Sequence, residues 1–459
     1  MAGAPNEKTQ VIIVGGGVTG LVLALMLERL KISYFLLEAY PSVTPDVGAS
    51  IGLFANGLGI LEQLGVYDDV RASAQSLDRA IAIDGITHEN LAYTEWGNIM
   101  EERHGYNTLV LARYELVRIL ERYIERKDRL LVNKRLVSID ISDNGVVAHC
   151  EDGLSYEGSI IVGADGVRST VRQEMWRLAD ELEPGYISEQ EKSGVRCEYA
   201  CLFGKCRPLE NLQPGDSANT HLRGGNVGYM VGRSREIFFM RYWKLPGPYT
   251  VHPTAIPRFT EQDKQAEMKK YQDLPVSRDG QIQLKDIINN VERINITALP
   301  DYVFKKWYFR RVVMIGDAAH KFNPLVGQGG NNCIESAAAL VNHLRSSLRA
   351  AKTSIQSPHW PTSAVEAAFS GLQEQRVDRV TDHVEKCEEV QRAVAWDTWL
   401  HQFLGRYVQP YMSPEKMADG MSRFIVGGLT LDGNEWRAAD RMHKLLSDGP
   451  NSETQSRND

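Results

Sequence analysis

The sequence lacks the features that mark several classes of protein. No stretch of its 459 residues provides the roughly 18 uncharged apolar positions that a membrane-spanning helix requires. The polar segment 1–9 shows no signal peptide, so a cytoplasmic location is predicted. An excess of basic residues is also missing: the net charge is −7 and the pI is near 5.9, which argues against a nucleic-acid partner.

Cysteine is sparse and shows no metal-binding spacing. The six cysteines form neither a C-x-x-C pair nor a recognised zinc pattern. We therefore predict buried free thiols in a reducing compartment and no metal site. Composition excludes a disordered chain, because 43% of the residues are hydrophobic and only 24% are charged. The cysteines are Cys150, Cys197, Cys201, Cys206, Cys333 and Cys387.

A glycine-rich turn follows the first apolar segment. Residues 10–14 predict a buried strand, and Gly15, Gly17 and Gly20 come next in the spacing G-x-G-x-x-G before a helix. These glycines allow a tight turn, the approach of a pyrophosphate and close helix–strand packing. A second strand ends at Glu38, near the expected distance for a carboxylate that binds a ribose. A dinucleotide site is predicted; the alternative is a glycine-rich turn with an exposed glutamate.

A second strand–loop–helix unit lies near residues 311–350. An apolar strand stops at Gly316 and a carboxylate, Asp317, follows at once. A proline and a glycine-rich loop then precede a long helical pattern, whose N-terminus can hold an anion or developing negative charge. Asp317 can accept hydrogen bonds from the hydroxyls of a polyol. The alternative is a surface loop with a helix cap. The loop residues are Pro324, Gly327, Gly329 and Gly330.

Three further positions suit a ligand. Asp165 follows a buried strand, although Asp165 or Ser169 could instead cap the next helix. Arg113 begins a helix, where the dipole disfavours a cation, which indicates an anionic partner such as a phosphate; the alternative is a solvated arginine. The small residues around Gly52, in segment 48–56, let backbone lie against a flat ligand or allow close helix packing.

Together the motifs resemble one family of flavoproteins. The chain is similar over about residues 10–350 to flavoprotein monooxygenases of the para-hydroxybenzoate hydroxylase type. The first 65 residues most resemble the fungal branch that makes meroterpenoids and indole diterpenes, whose members epoxidise an olefin of a prenyl chain. The motifs are Gly15-x-Gly17-x-x-Gly20 with Glu38, Gly163-Ala-Asp165-Gly166, and Gly316-Asp317-Ala-Ala-His320 with Pro324.

The resemblance implies noncovalently bound FAD and assigns residues to it. Arg196 and Tyr229, on strands of the substrate sheet, are implied as catalytic residues, although both could be ordinary strand residues. The implied cofactor contacts are Gly15, Gly17 and Gly20 with the pyrophosphate, Glu38 with the adenosine ribose, Gly52 and Arg113 with the flavin nucleotide, Asp165 with FAD and NAD(P)H, Asp317 with the ribityl chain, and Pro324, Gly327 and Gly330 with the isoalloxazine.

The resemblance also implies a reaction. NAD(P)H reduces FAD, O2 adds at flavin C4a, and the resulting hydroperoxide delivers oxygen to an apolar, prenylated small molecule of fungal terpenoid secondary metabolism. An epoxidase is therefore expected. One alternative is an aromatic hydroxylase, in which Arg196 would face a phenol oxygen. Another is a non-catalytic protein that only binds FAD.

The fold expected is α/β, with a Rossmann-type FAD-binding domain, an inserted and mostly antiparallel β-sheet substrate domain and a helical C-terminal region. The FAD-binding domain comprises residues 1–185 and 305–350, and the substrate domain comprises 195–300. Residues 360–446 form the C-terminal helices, and the polar segment 447–459 is predicted to be disordered.

The C-terminal helical region contains a cluster of aromatic and aliphatic residues. Such a cluster would suit a dimer face or contact with a membrane surface, which would make the protein peripheral. The alternative is that these side chains pack in the core. The residues are Trp396, Trp399, Leu400, Phe403 and Leu404.

Overall fold

A computed structural model describes residues 8–44, 49–247, 250–434 and 436. The last part of the predicted helical region 360–446, from residue 437 on, lies outside this range, as does the tail 447–459. The described part alternates helices and strands through its N-terminal half and ends in helices, which confirms the α/β class.

The regular elements are as follows. The strands are β1 Thr9–Val14, β2 Tyr34–Leu37, β3 Ser50–Leu53, β4 Gln75–Ser76, β5 Arg79–Asp84, β6 Asn90–Glu95, β7 Leu109–Ala112, β8 Leu130–Leu131, β9 Leu136–Ser142, β10 Gly145–Cys150, β11 Ser155–Gly163, β12 Val195–Cys206, β13 Asp216–Leu222, β14 Gly225–Val231, β15 Ile237–Lys244, β16 Thr250–Val251, β17 Val291–Val303, β18 Tyr308–Phe309, β19 Val312–Met314 and β20 His320–Lys321. The helices are α1 Val18–Arg29, α2 Ala55–Gln63, α3 Tyr67–Ser73, α4 Gly97–His104, α5 Arg113–Tyr123, α6 Thr170–Leu182, α7 Glu189–Ser193, α8 Glu261–Met268, α9 Leu284–Asn289, α10 Gly329–Ala350, α11 Thr362–Val394, α12 Trp399–Tyr407 and α13 Pro414–Ile425.

The first sheet brings the three sequence motifs to one edge. Its strands lie in the order β18-β19-β11-β1-β2-β8, and the pairs from β19 to β8 are parallel. Parallel strands are covered on both faces, which explains why β1 is apolar along its length and fully buried. The carboxyl ends of parallel strands meet at one edge. The turns after β1, β11 and β19, which carry the three motifs, are therefore neighbours.

The second sheet is mostly antiparallel, and part of it comes from the N-terminal half of the chain. Its order is β20-β17-β12-β15-β14-β13-β5-β6, with β5 parallel to β13. Residues 79–95 thus pair with the strands that follow residue 195, which the sequence did not indicate. The helical segments α3 and α4 lie before β4 and after β6 in this part of the chain.

The two faces of the second sheet carry different clusters. One face, termed the far face, packs against residues 274–287 and includes Tyr229. The opposite face, termed the near face, meets the loop before α10 through Leu325 and the end of α11 through Ala395. Strand alternation sends successive side chains to opposite faces, so Tyr229 and Met230 belong to different clusters.

A third sheet and the C-terminal helices complete the fold. The order β3-β7-β4 places residues 50–53 beside α10, and α11 packs along α10 for much of its length. All six cysteines are buried and free, as predicted. Among the described residues, no helix has the length and apolar character needed to cross a membrane.

Candidate functional site

The turn after β1 excludes side chains at two positions. Gly15 has φ +106°, and a Cβ built there would lie 2.5 Å from the carbonyl oxygen of Ala164 in the neighbouring motif. A Cβ on Gly20 would collide with the carbonyl oxygen of Gly15, so α1 can approach the turn only with glycine at this position. The bare backbone leaves room for a ligand to approach the turn.

Two helices begin at this edge with open N-termini. Gly17 is the N-cap of α1 and Gln328 is the N-cap of α10; neither supplies a side-chain cap, and neither first turn contains an acidic residue. The first N–H groups of an α-helix have no intrahelical acceptor, and the helix dipole makes this end partially positive. Both ends therefore offer sites for negatively charged groups.

Glu38 and Arg113 flank the turn. The backbone N–H of Gly16 donates to Oε2 of Glu38 at 2.7 Å, and the N–H of Tyr40 donates to Oε1 at 2.9 Å. Each carboxylate oxygen keeps a further lone pair with which to accept a hydroxyl. A Cβ built on Gly17 would lie 3.3 Å from Nη2 of Arg113, which places that guanidinium beside the turn.

Asp165 caps the helix that follows it. Its carboxylate accepts from the Ser169 hydroxyl and from the backbone N–H groups of Thr170 and Val171 at 2.7 and 3.1 Å. Burial raises the pKa of Asp165, although these donors act in the opposite direction. The contacts match the helix-cap alternative, and the role predicted for Asp165 in binding FAD and NAD(P)H stays a prediction.

The turn that carries Asp317 is held through its backbone. The Tyr302 hydroxyl donates to the carbonyl oxygen of Asp317 at 2.6 Å, and Nη1 of the buried Arg172 donates to that of Ala318 at 3.0 Å. The Asp317 side chain remains 32% exposed, with Lys321 Nζ 4.0 Å from its Oδ2. The carboxylate is thus fixed in position and can accept hydroxyl groups from a polyol chain.

Asn331 links strand β3 to the loop before α10. Its Oδ1 accepts from the N–H of Phe54 at 2.9 Å, and its Nδ2 donates to the carbonyl oxygens of Gly52 and Gly327, each at 3.0 Å. A Cβ on Gly52 would lie 3.8 Å from Cα of Gly327. Two stretches of backbone therefore lie side by side, as a flat ligand needs.

Pro324 and Gly330 complete this loop. Pro324 begins a 3-10 turn over Pro324–Val326, in which the Asn323 side chain accepts from the N–H of Leu325. A Cβ on Gly330 would lie 2.5 Å from Ile51 Cδ1, so a larger residue there would force the Ile51 side chain to move. The structure brings Gly52, Pro324, Gly327 and Gly330 into one unit; their contacts with the isoalloxazine stay predicted.

A buried charged cluster lies beneath the N-terminal part of α10. Glu335 pairs with Arg376 and Arg379 of α11, and its Oε1 accepts from Asn56 Nδ2 at 2.6 Å. Burial alone would raise the pKa of Glu335, but the two guanidinium groups lower it to about 2. Burial, assisted by the charge of Arg379, lowers the pKa of His383 in the same cluster to about 3.

The two residues predicted to be catalytic lie apart. Arg196 is the second residue of β12 and forms ion pairs with Glu198 and with Glu388 of α11. Tyr229 is buried in the far-face cluster, and its hydroxyl has no hydrogen-bond partner. Their catalytic roles stay predictions, and the placement of Tyr229 favours a packing role.

The structure places further residues at the site that no sequence motif indicates. Arg172, Tyr302 and Asn331 carry no sequence signal, because each holds a backbone group of a different element. Tyr199 and Tyr242 lie in the near-face cluster, and the buried hydroxyl of Tyr199 lies beside Asp397. Strand alternation in β12 indicates which side chains share a face of the sheet, but it does not show which face meets the loop before α10.

Comparisons with known proteins point to one family. The family model described as "FAD binding domain" matches residues 8–178 and 244–359. FAD-dependent monooxygenase penE of Penicillium thymicola is 34% identical over 429 residues, covering 93% of this chain and 88% of that protein. FAD-dependent monooxygenase andE of Emericella variicolor is 33% identical over 426 residues, with coverages of 92% and 88%.

Solved structures show the same fold. The crystal structure of Klebsiella pneumoniae HpxO complexed with FAD and uric acid has a TM-score of 0.71 at 23% identity, covering 90% of this chain and 95% of that one. The structure of 2,6-dihydroxypyridine-3-hydroxylase from Arthrobacter nicotinovorans has a TM-score of 0.65 at 16% identity, with coverages of 93% and 98%.

We expect Glu38→Ala to weaken FAD binding by about 1–3 kcal/mol, the cost of losing hydrogen bonds to a charged group. The carboxylate would bind the ribose and also holds the N–H of Gly16, so both contacts are lost. Equilibrium titration of the apoprotein with FAD measures the change. Glu157→Ala, at an exposed carboxylate on β11, is the matched control. Equal affinity in the two variants would remove Glu38 from the site.

We expect His383→Gln to reduce the pH dependence of stability. The pKa of His383 in the folded state, near 3, lies below the ordinary value of about 6.5. Between these two pH values His383 is protonated in the unfolded chain but stays neutral in the folded chain. Stability therefore falls as pH is lowered through that window, by at most about 1.4 kcal/mol per pH unit for one group. The variant should show a shallower slope.

Urea unfolding at several pH values between about 5 and 7 measures this slope. His359→Gln, which alters an exposed imidazole, is the control and should leave the slope unchanged. A slope in His383→Gln as steep as that of the unaltered protein would show that this histidine does not resist protonation in the folded state.

Proposed function

Because the chain belongs to the family of FAD-dependent monooxygenases with this FAD binding domain, and has FAD as its cofactor, we propose that it epoxidises an olefin of a prenylated, meroterpenoid-type metabolite. NAD(P)H and O2 are the co-substrates. The family match and the fungal relatives confirm the family resemblance seen in the motifs. The fungal relatives are named only as FAD-dependent monooxygenases, so the olefin and the reductant belong to the proposal.

The near-face cluster carries the proposal. It consists of apolar, aromatic and sulfur-containing side chains and meets Leu325 of the loop predicted to line the isoalloxazine. The charges beside it, Lys244 over the ring of Tyr199 and the carboxylate of Asp397, form an ion pair with each other, which suits an apolar prenyl chain better than a phenolate. Its members are Tyr199, Cys201, Phe203, Met240, Tyr242, Leu299, Leu325 and Ala395.

The chain's own residues would hold the cofactor and shield the reaction. FAD, when bound, accepts a hydride from NAD(P)H and activates O2; one oxygen atom enters the substrate and the other leaves as water. The open N-terminus of α1 beside Arg113 suits the pyrophosphate, and Asp317 suits the ribityl hydroxyls. The open N-terminus of α10 would stabilise negative charge that develops on the bound flavin. The near-face cluster would exclude water.

Tyr199 is the proton donor that the geometry favours. It is 3% exposed and lies in the cluster that includes Leu325, with the carboxylate of Asp397 beside its hydroxyl. Burial raises its pKa, and the neighbouring Asp397 adds to this, so the hydroxyl stays protonated at neutral pH. A protonated phenol can donate to an oxygen on which negative charge develops.

An aromatic hydroxylase on the same scaffold is the second candidate. A phenolic substrate requires a cation or base beside its oxygen, and Arg196 is the candidate for that role. The guanidinium is already held between Glu198 and Glu388, with Arg392 close to Glu198, so its charge is largely compensated. These ion pairs favour the epoxidase.

The reaction is tested with a prenylated phenol, which offers both an olefin and a ring. We expect NAD(P)H oxidation stimulated by the substrate and a product that gains one atom from labelled O2 at the olefin, detected by mass spectrometry. A label in a new ring hydroxyl, with the olefin unchanged, would establish the aromatic hydroxylase. Yellow protein that oxidises no NAD(P)H with either class of substrate would indicate a protein that only binds FAD.

We expect Tyr199→Phe to lower turnover by about 10²-fold while the flavin spectrum is retained, because one proton donor is lost. Tyr229→Phe removes a buried unpartnered hydroxyl on the far face and is the matched control, expected to keep its turnover. Arg196→Ala is measured in the same series. Losses of 10²-fold or more in the Arg196 and Tyr229 variants, with Tyr199→Phe unaffected, would instead support the roles implied by the family resemblance.

A further inference from the structure

Helix α12 carries its apolar residues on the outside. In an ordinary surface helix the apolar stripe faces the core, but the only buried residue of α12 is Gly405. Trp399 is 78% exposed, and Tyr411, in the turn after the helix, is 86% exposed. The outward residues of segment 399–412, here termed the apolar ridge, are Trp399, Leu400, Phe403, Leu404, Tyr407, Val408, Tyr411 and Met412.

Small and polar residues attach the helix to the protein and fix this orientation. Gly405 lies against the indole of Trp396, where a Cβ would come 2.5 Å from Nε1. Arg406 stacks over the same indole and forms an ion pair with the buried carboxylate of Asp84. Arg223 donates to Gln402 at 3.3 Å. Turning the helix over would bury apolar residues but would break the ion pair.

The ridge is large for a surface left in water. An aromatic side chain presents about 150–250 Å². Trp399, Phe403, Tyr407 and Tyr411 are each 49–86% exposed. The four rings therefore expose on the order of 500 Å², at the upper end of the ~300–600 Å² found for the largest apolar patch of typical monomers. The adjoining aliphatic residues extend it further.

The charge of the ridge indicates what covers it. Arg406 is the only Lys, Arg, Asp or Glu between residues 399 and 412, and it faces inward. The ridge therefore offers no charge to a partner protein or to anionic headgroups. Trp399 stands at one end and Tyr407 and Tyr411 at the other, with Leu400 and Phe403 between them. Amphipathic aromatic rings favour the boundary between headgroups and acyl chains.

We propose that the apolar ridge lies in the interfacial region of a lipid bilayer, with α12 parallel to the surface. The ridge also adjoins the near-face cluster, because Ala395, four residues before Trp399, is a member of that cluster. On the proposed function, this contact would bring the near-face cluster close to the bilayer in which a prenylated substrate dissolves. The lipid contact itself requires no substrate.

The test measures binding of the FAD-loaded full chain to phosphatidylcholine vesicles by co-sedimentation. We expect the unaltered protein to bind and the double variant Trp399→Ser, Tyr411→Ser to show a partition coefficient at least about tenfold lower, since two exposed rings are removed. Val137→Thr with Leu182→Gln, which alters exposed apolar residues elsewhere, is the control and should bind normally. A retained flavin spectrum shows that each variant is folded.

Lipid composition and salt provide the second arm. Because the ridge carries no charge, addition of phosphatidylserine or of about 0.5 M salt should leave binding unchanged. Failure of the unaltered protein to bind phosphatidylcholine would overturn the proposal, and so would binding that needs anionic lipid. A dimer that the double variant converts to monomers, with vesicle binding unaltered, would show that a second copy covers the ridge. None of these outcomes depends on the oxidation product, which tests the proposed function separately.

Discussion

The buried ion cluster around Glu335 is the interaction on which the site depends most. A carboxylate with no exposed surface is tolerated only when it is paired, and removing one partner of a buried pair typically costs about 3–5 kcal/mol. Glu335 lies in α10, while Arg376 and Arg379 lie in α11, so the cluster joins the helix that begins at the glycine-rich loop to the long C-terminal helix. Its bond to Asn56 extends the connection to α2.

The same cluster sets the charge beneath the loop before α10. Two arginines and one glutamate leave a net positive charge, and the pKa values of His320 and His383 are lowered, first by burial and then by the neighbouring arginines, so both rings stay neutral. This charge and the open N-terminus of α10 have the same sign. Both would therefore favour a flavin that carries negative charge when reduced.

The parts of the site that could be predicted from sequence depend on local backbone chemistry. Gly15, Gly20 and Glu38 lie within one strand–turn–helix–strand unit, where spacing alone determines which groups meet. The sequence alone cannot decide whether Tyr199 or Tyr229 faces the site, because both are aromatic residues on strands of the same sheet. Only the packing of that sheet, against Leu325 on one face and α9 on the other, distinguishes the near face from the far face. The outward orientation of α12 depends on Asp84, more than 300 residues away in sequence.

The pairing of β5 with β13 has a consequence for how the chain is made. The hairpin of β5 and β6 leaves the ribosome about 130 residues before its partner strand. At a synthesis rate of ~5–20 residues per second, the edge of the hairpin stays unpaired for on the order of ten seconds before β13 is made. Exposed strand edges are templates for aggregation, so this interval is a period of risk during synthesis. A fragment of residues 195–300 alone would keep the opposite edge open permanently, which makes the second sheet unsuited to isolation from the rest of the chain.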